Sequence, residues 1–102
     1  MFAGAERVAD RYLTVLFGPA PGGQPRLGLA VSRRVSSRAV DRNRIKRQIR
    51  ESFRLNRDLL PPVDIVVIPR PPARHASRQE LRQALTRLWQ RVLKQCERQS
   101  LS

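Results

Sequence analysis

Cysteine is almost absent from this chain, since Cys96 is the one cysteine in 102 residues. A single thiol cannot form a disulfide within the chain, which fits a reducing compartment. Long apolar runs are missing too, and the first residues form no signal-peptide pattern. The sequence therefore predicts a cytoplasmic protein with no membrane partner.

Residues suited to catalysis are also sparse. His75 is the one histidine, in a proline-rich stretch, and the eight carboxylates are scattered along the chain. A protein nuclease needs a metal cluster, or a general base with a general acid. We therefore predict no catalytic residue and no metal site in the chain itself. His75 is interpreted as an exposed loop residue and Cys96 as a packing residue.

Positive charge is what the chain has in excess. It carries 21 basic against eight acidic residues, a net charge of +13, and all basic residues but Lys46 and Lys94 are arginine. Such a charge favours an anionic partner and says nothing about fold. The planar guanidinium binds phosphate oxygens in pairs and stacks on bases, which favours RNA. A GC-rich genome would enrich arginine as well.

The basic residues are concentrated in residues 33–57, a segment that contains two acidic residues. Within this segment Ile45, Ile49 and Phe53 recur every four residues, which predicts one apolar helix face and an opposite cationic face. A merely solvated face would carry mixed charges, whereas these like charges repel unless an anion relieves them. The segment therefore predicts a helix that binds a polyanion.

The remaining segments predict an α+β fold with a small mixed sheet and two main helices. Strand-favouring residues occupy 11–17 and 27–32, on either side of a turn at 18–25 that is rich in glycine and proline. We therefore predict that the two segments form an antiparallel hairpin. The basic helix should start near Ser36 or Ser37 as its cap and run to about 55–58. The apolar run in 64–69 is typical of a buried strand, parallel to the strand before the helix.

A second long helix is predicted after a capping box from Ser77 to Glu80. Its apolar positions share one face; they are Leu81, Ala84, Leu85, Leu88, Trp89 and Val92. Trp89 could stack on a base, but its phase on this face favours the core.

The stretch RNRIKRQIRESF, residues 42–53, resembles the RNR motif of the protein subunit of bacterial ribonuclease P. The flanking RLGLAVSRRV, DIVVIPR and LTRLWQR resemble the same family, over most of the chain from Phe2 to about Glu97. The resemblance implies a single domain over residues 1–102, an α/β sandwich like the second domain of a small-subunit ribosomal protein. It also implies a left-handed strand–helix–strand crossover, where the general rule is right-handed.

In that family an RNA subunit is the catalyst and cleaves the 5′ leader from precursor tRNA. The resemblance implies that this chain is part of an endoribonuclease without being catalytic alone. Its partners would be the catalytic RNA, one protein per RNA, and the precursor tRNA leader. Mg²⁺ is implied for the RNA-containing holoenzyme, with no cofactor bound by the chain alone.

The predicted RNA-binding residues combine the basic segment with the RNR motif: Arg33, Arg34, Arg38, Arg42, Asn43, Arg44, Lys46, Arg47, Arg50 and Arg54. Glu51 also matches the motif, or it pairs with a neighbouring arginine. The family's leader cleft implies a second set of candidates: Phe2, Tyr12, Thr14 and Leu16. Phe2 could equally be a core anchor. Family members usually carry a further N-terminal segment, with a basic stretch and most of the first helix, so the resemblance implies RNA docking more directly than leader binding.

Two other functions share this composition. A non-catalytic RNA-binding module, such as a ribosomal or assembly protein, would be equally basic, and the RNR motif favours the ribonuclease P family over it. A DNA-binding helix is disfavoured because no paired-helix turn accompanies it.

Overall fold

The sheet begins with a hairpin that the sequence pattern did not predict. The computed structural model describes residues 6–101, with side chains to residue 97. Strand β1 (Glu6–Ala9) pairs antiparallel with strand β2 (Leu13–Pro19). The turn is held by Asp10, whose Oδ1 accepts the backbone N–H groups of Tyr12 at 2.8 Å and Leu13 at 2.9 Å. The strand escaped prediction because it is short and half of it is charged.

The predicted hairpin between the next two strands is wrong. Strand β3 (Arg26–Leu29) does not pair with β2, because strand β4 (Val63–Pro69) lies between them. The strand order is β1-β2-β4-β3, with β4 antiparallel to β2 and parallel to β3. β4 is apolar on both faces, which suits the interior of a sheet. The sheet is therefore mixed, as the predicted fold class requires.

The connection between β2 and β3 is a turn at its glycines. Gly23 has φ of +76°, in the left-handed region that glycine adopts without a Cβ penalty. Its N–H donates to the Ala20 carbonyl at 3.2 Å. The predicted turn at this position is therefore confirmed. It belongs to a connection that runs from β2 past β4 to β3, and not to a hairpin.

Helix α1 (Ala39–Asn56) joins the parallel strands β3 and β4, which confirms the strand–helix–strand unit. Its start differs from prediction, since Arg38 occupies the N-cap position and makes no side-chain capping bond. Ser36 is buried just before the helix instead. Its hydroxyl donates to Asp41 Oδ2 at 2.8 Å and accepts the Arg38 N–H at 3.1 Å. The left-handed sense of the crossover stays a prediction.

Helix α2 (Arg78–Leu101) starts at the predicted capping box. The Ser77 N–H donates to Glu80 Oε1 at 2.8 Å, and the Glu80 N–H donates to Ser77 Oγ at 3.0 Å. Short 3₁₀ turns, Arg57–Leu59 and Pro71–His75, lie on either side of β4. The box satisfies backbone donors that the first turn of a helix leaves free.

The core lies between one face of the sheet and the two helices. Buried side chains alternate along the strands, as Leu13, Val15 and Phe17 do on β2, and they meet Ile45 and Ile49 of α1. The predicted apolar face of α2 is buried against the same cluster. The alternate residues of the strands lie on the opposite, open face of the sheet.

Trp89 belongs to this core, as its helical phase predicted, and is 3% exposed. Its indole N–H donates to Ser52 Oγ of α1 at 2.9 Å. Its ring also meets Phe53 edge-on, with centroids 6.1 Å apart. The tryptophan therefore joins the two helices and is not available to stack on a base.

Candidate nucleic-acid interface

The exposed side of α1 carries a single line of polar and basic side chains. Asn43, Arg47, Arg50 and Arg54 are all exposed and are spaced by four, three and four residues. This spacing places them above one another on one helix face. Together with Glu51 they line a shallow cavity of about 640 Å³. We call these four residues the α1 stripe.

Two arginines of the RNR motif are partly engaged inside the protein. Arg42 Nη1 donates to the Ser36 carbonyl at 2.9 Å, and so ties the loop before α1 to the helix. Arg44 donates from Nη1 to the Ala76 carbonyl at 3.5 Å and from Nη2 to the Arg74 carbonyl at 3.2 Å. Both arginines are half-buried. A guanidinium has five N–H donors, so each retains donors that can face RNA.

The other predicted basic residues lie in the loop before α1 or within α1 itself. Arg33, Arg34 and Arg38 are exposed in the loop before α1, which is anchored by the buried Val35. Lys46 is half-buried on the flank of α1. The structure thus brings the predicted set to one end and one side of a single helix.

The chain supplies little negative charge to this surface. Within residues 6–97, the one ion pair closer than 4 Å joins Arg26 to Asp64 on the sheet. It is bidentate, at 2.7 and 2.8 Å, and its hydrogen bonds lower the pKa of Asp64. Glu51 is the carboxylate on the cavity lining and forms no such pair in the described part of the chain. The arginines of the α1 stripe therefore have no ion-pair partner among the described residues.

The open face of the sheet holds two of the leader-cleft candidates. Thr14 and Leu16 are half-buried there, opposite Ile68 and Val66 of β4 in the strand register. These side chains form a mainly apolar surface on the side of the sheet away from the helices. The candidate Phe2 lies outside the described residues.

The third cleft candidate, Tyr12, makes a contact that the sequence did not predict. It precedes β2, and its hydroxyl donates to Glu80 Oε2 at the start of α2, at 3.0 Å. The Arg11 guanidinium lies over its ring, 5.5 Å from the centroid. Tyr12 therefore links the sheet to the cap of α2.

Potential catalytic groups are dispersed. Across the described side chains, no three of the types His, Cys, Asp and Glu come together in a way that could hold a metal ion. His75 is exposed in the 3₁₀ turn before α2, as predicted. Cys96 packs half-buried against the core, and burial raises the pKa of its thiol. No helix in the described range is long and apolar enough to cross a membrane.

A small α+β domain with an arginine-rich helix face is typical of nucleic-acid-binding proteins, and here the face has no ion pair among the described residues. Comparison with known proteins identifies the family within this class of proteins. The model of the family described as Ribonuclease P matches residues 1–93. The chain belongs to the ribonuclease P protein family.

Individual relatives agree with this assignment. The ribonuclease P protein component of Idiomarina loihiensis is 45% identical over 91 residues, which cover 89% of this chain and 73% of the relative. That of Nitrosococcus oceani is 44% identical over 96 residues, covering 94% and 81%.

Solved structures of this family have the same fold. The RNase P protein from Thermotoga maritima, in complex with 1-(4-fluorophenyl)-2-thiourea, matches with a TM-score of 0.79 at 33% identity, covering 85% of each chain. The RNase P protein of Staphylococcus aureus matches with a TM-score of 0.78 at 33% identity, covering 91% of this chain and 82% of that one. The predicted family and fold class are therefore confirmed.

Proposed function

We propose that this chain docks through the α1 stripe on the RNA subunit of ribonuclease P, and so supports removal of the 5′ leader from precursor tRNA. The observation that carries the proposal is the exposure of Asn43, Arg47, Arg50 and Arg54 in one line, without ion pairs in the described part of the chain. Arginine forks bind phosphate oxygens in pairs, and an amide adds hydrogen bonds that bulk charge does not provide.

In this proposal the RNA carries out the cleavage and the protein acts by binding. A protein nuclease would need a general base with an acid, or a bound metal, next to the scissile phosphate. The groups on the proposed docking surface are guanidinium and amide groups, with Glu51 as its carboxylate. Guanidinium groups stay protonated at any physiological pH and cannot serve as a base.

Mg²⁺ belongs in this proposal to the complex and not to the chain alone. Magnesium sites in proteins use one or two carboxylates together with waters and substrate phosphates. Glu51 could supply one such oxygen beside the arginines, while RNA phosphates would supply the remaining ligands. The chain's own residues would then orient RNA near the ion.

The open face of the sheet is the proposed site for the leader of precursor tRNA. Leu16, Val66 and Ile68 give it apolar surface, and Thr14 adds a hydroxyl. Unpaired bases can pack on such a surface, whereas the bases of a duplex are stacked inside it and do not present their faces. We further propose one protein per RNA. We also propose a cytoplasmic location, because a single cysteine fits a reducing compartment.

Reconstitution tests the docking proposal. The chain is mixed with the ribonuclease P RNA of the same genome and a precursor tRNA that carries a 5′ leader, at low magnesium. We expect faster cleavage than with the RNA alone, and no cleavage by the protein without RNA. The double variant Arg47→Ala, Arg50→Ala should lose most of this gain.

The matched control is a variant that removes an exposed arginine elsewhere. Arg87 is exposed on α2 and makes no side-chain hydrogen bond within the described residues, so Arg87→Ala should retain the gain. RNA binding with no effect on cleavage would instead support the ribosomal or assembly module. Cleavage by RNA-free protein would refute the division of roles.

A further inference from the structure

The first turns of α2 bring a second row of arginines beside the α1 stripe. Arg78 lines a cavity of about 640 Å³ together with Asn43, Arg47 and Gln48 of α1. Arg78 and Arg82 also line the adjoining recess, again with Gln48. The two helices therefore form the two walls of one depression, which we call the α1/α2 groove.

The second wall of the α1/α2 groove is charged and unengaged. Arg78 and Arg82 are both exposed, and their side chains form no hydrogen bond or ion pair with residues 6–97. They lie four residues apart, about 6 Å along the helix axis. Two guanidinium groups at this separation can contact neighbouring phosphates of one strand.

Arg78 is also placed against the electrostatic preference of its own helix. It is the first residue of α2, where the helix dipole favours anions and disfavours cations. The capping box of Ser77 and Glu80 already satisfies this end of the helix. Arg78 therefore adds no stability to the start of α2, and an anion bound beside it would offset its unfavourable position.

We propose that the α1/α2 groove binds one backbone strand of RNA, with Arg78 and Arg82 contacting phosphates across from those that the α1 stripe contacts. This inference rests on the proposed function, because the same RNA supplies both sets of phosphates. It adds residues of α2 that the RNR motif does not include. Charge complementarity selects the occupant, since arginines line both walls of the groove and Glu51 is the carboxylate on its lining.

The test measures the affinity of the full chain for the ribonuclease P RNA of the same genome over a series of KCl concentrations. Arg78→Ala and Arg82→Ala should each weaken binding about three- to tenfold near physiological salt and reduce the salt slope by about one. Arg87→Ala is the matched control, because it removes the same charge from an exposed position further along α2. It should change the affinity less than about twofold and leave the slope unaltered.

The outcomes separate this inference from the proposed function. If Arg47→Ala weakens binding while Arg78→Ala and Arg82→Ala behave like Arg87→Ala, the groove is not a binding site and the docking proposal stands. If the unmodified chain binds this RNA no better than an unrelated RNA of equal length, both proposals are overturned. If poly-glutamate of equal charge competes as well as RNA does, the groove is a general polyanion surface and the inference is wrong.

Thermal unfolding distinguishes a lost contact from a damaged fold. Arg78→Ala should leave the melting temperature of the free protein unchanged or raise it, because a cation is removed from a helix N-terminus. A lower melting temperature together with weaker binding would make Arg78 a structural residue and overturn its assignment. Arg82 lies beyond the first turn of α2. The Arg82→Ala variant therefore tests the groove without altering the charge next to the helix cap.

Discussion

At the scale of single residues, two groups of arginines stand out among the described side chains, beside those such as Arg26 that pair with another side chain. In one group the guanidinium donates to a backbone carbonyl of another segment; Arg42, Arg44, Arg70 and Arg91 belong to it. In the other group, which includes Arg47 and those further along the α1 stripe, the guanidinium has no partner within the described residues. The first group positions loops and strands, and the second is available to RNA.

Asn43 tests whether docking is specific. Asn43→Ala removes no charge, yet it should weaken binding to the ribonuclease P RNA by roughly 1–3 kcal/mol, because its RNA partner would be left unsatisfied in a buried interface. The measurement is affinity at a fixed salt concentration. Gln83→Ala is the control, since Gln83 is an exposed amide on α2. An Asn43→Ala variant with unchanged affinity would reduce the α1 stripe to a charge effect.

Arg44 tests the positioning role. Arg44→Ala removes the donors to the Ala76 and Arg74 carbonyls and should lower the free energy of unfolding by roughly 1 kcal/mol. Arg47→Ala, three residues along and without such bonds, should stay within about 0.5 kcal/mol of the unmodified protein. Denaturant unfolding measures both. Equal stabilities of the two variants would show that the Arg44 bonds contribute nothing to the fold.

At the scale of elements, hydrogen bonds join the start of α2 both to its own cap and to the residue before β2. Glu80 accepts hydrogen bonds from the Ser77 N–H and the Tyr12 hydroxyl. These bonds hold the pKa of Glu80 below its ordinary value of 4.5, and the bond from the Ser77 backbone has the largest effect. The Tyr12 pKa is raised above 10.0, chiefly by its hydrogen bond to Glu80. One carboxylate thus fixes both the helix cap and the end of the sheet.

This arrangement predicts an acid-dependent stability. Because the pKa of Glu80 is lower in the folded state, its contribution is present above its unfolded pKa, near 4.5, and is lost as the pH falls through the folded value. Glu80→Gln can keep the capping bonds but not the charge. The melting temperature of the variant should therefore fall less between neutral pH and acid. Parallel pH profiles would exclude the contribution of Glu80.

The tyrosine gives an independent readout of the same contact. Tyr12 is the one tyrosine of the chain, so its ionisation can be followed by absorbance. In Glu80→Gln its pKa should move down towards 10.0, because the carboxylate that accepts its hydrogen bond is gone. Glu97→Gln, at a distant part of α2, should leave the titration unchanged. An unshifted midpoint in Glu80→Gln would mean that the bond is absent in solution.

At the scale of the whole molecule, the net charge of +13 is confined to a body of 43 × 26 × 21 Å. At about 0.01 M salt the screening length is roughly 30 Å, so charges across the whole molecule repel one another. At about 0.1 M it is roughly 10 Å, and only neighbouring charges interact. The free protein is therefore destabilised by the same charge that RNA would neutralise.

Salt should consequently act in opposite directions on folding and on binding. Raising KCl from about 0.01 M to about 0.2 M should increase the melting temperature of the free protein while it weakens RNA binding. Calorimetry and a binding titration over the same series measure the two effects. Sucrose at matched osmolality is the control for general solvent effects. A melting temperature that falls with KCl would contradict the role of self-repulsion.

Elements that depend on a local pattern of residues could be predicted from the amino-acid sequence alone. The four-residue period of Ile45 and Ile49 separated the buried and basic faces of α1, and the Ser77–Glu80 capping box fixed the start of α2. The apolar run of β4 indicated a buried strand. These features are readable because period and capping chemistry involve residues close in the chain. The resemblance of the RNR motif to the ribonuclease P family added the function.

Contacts between segments far apart in the chain became visible in the folded structure and could not be predicted from the sequence. It placed β4 between β2 and β3, because pairing in a sheet follows from packing that no local pattern encodes. It also sent Arg42 and Arg44 to backbone carbonyls, which are present at every residue and so leave no mark in the sequence. The second wall of the α1/α2 groove arises in the same way, since Arg78 and Arg82 reach the stripe only when the core brings the two helices together.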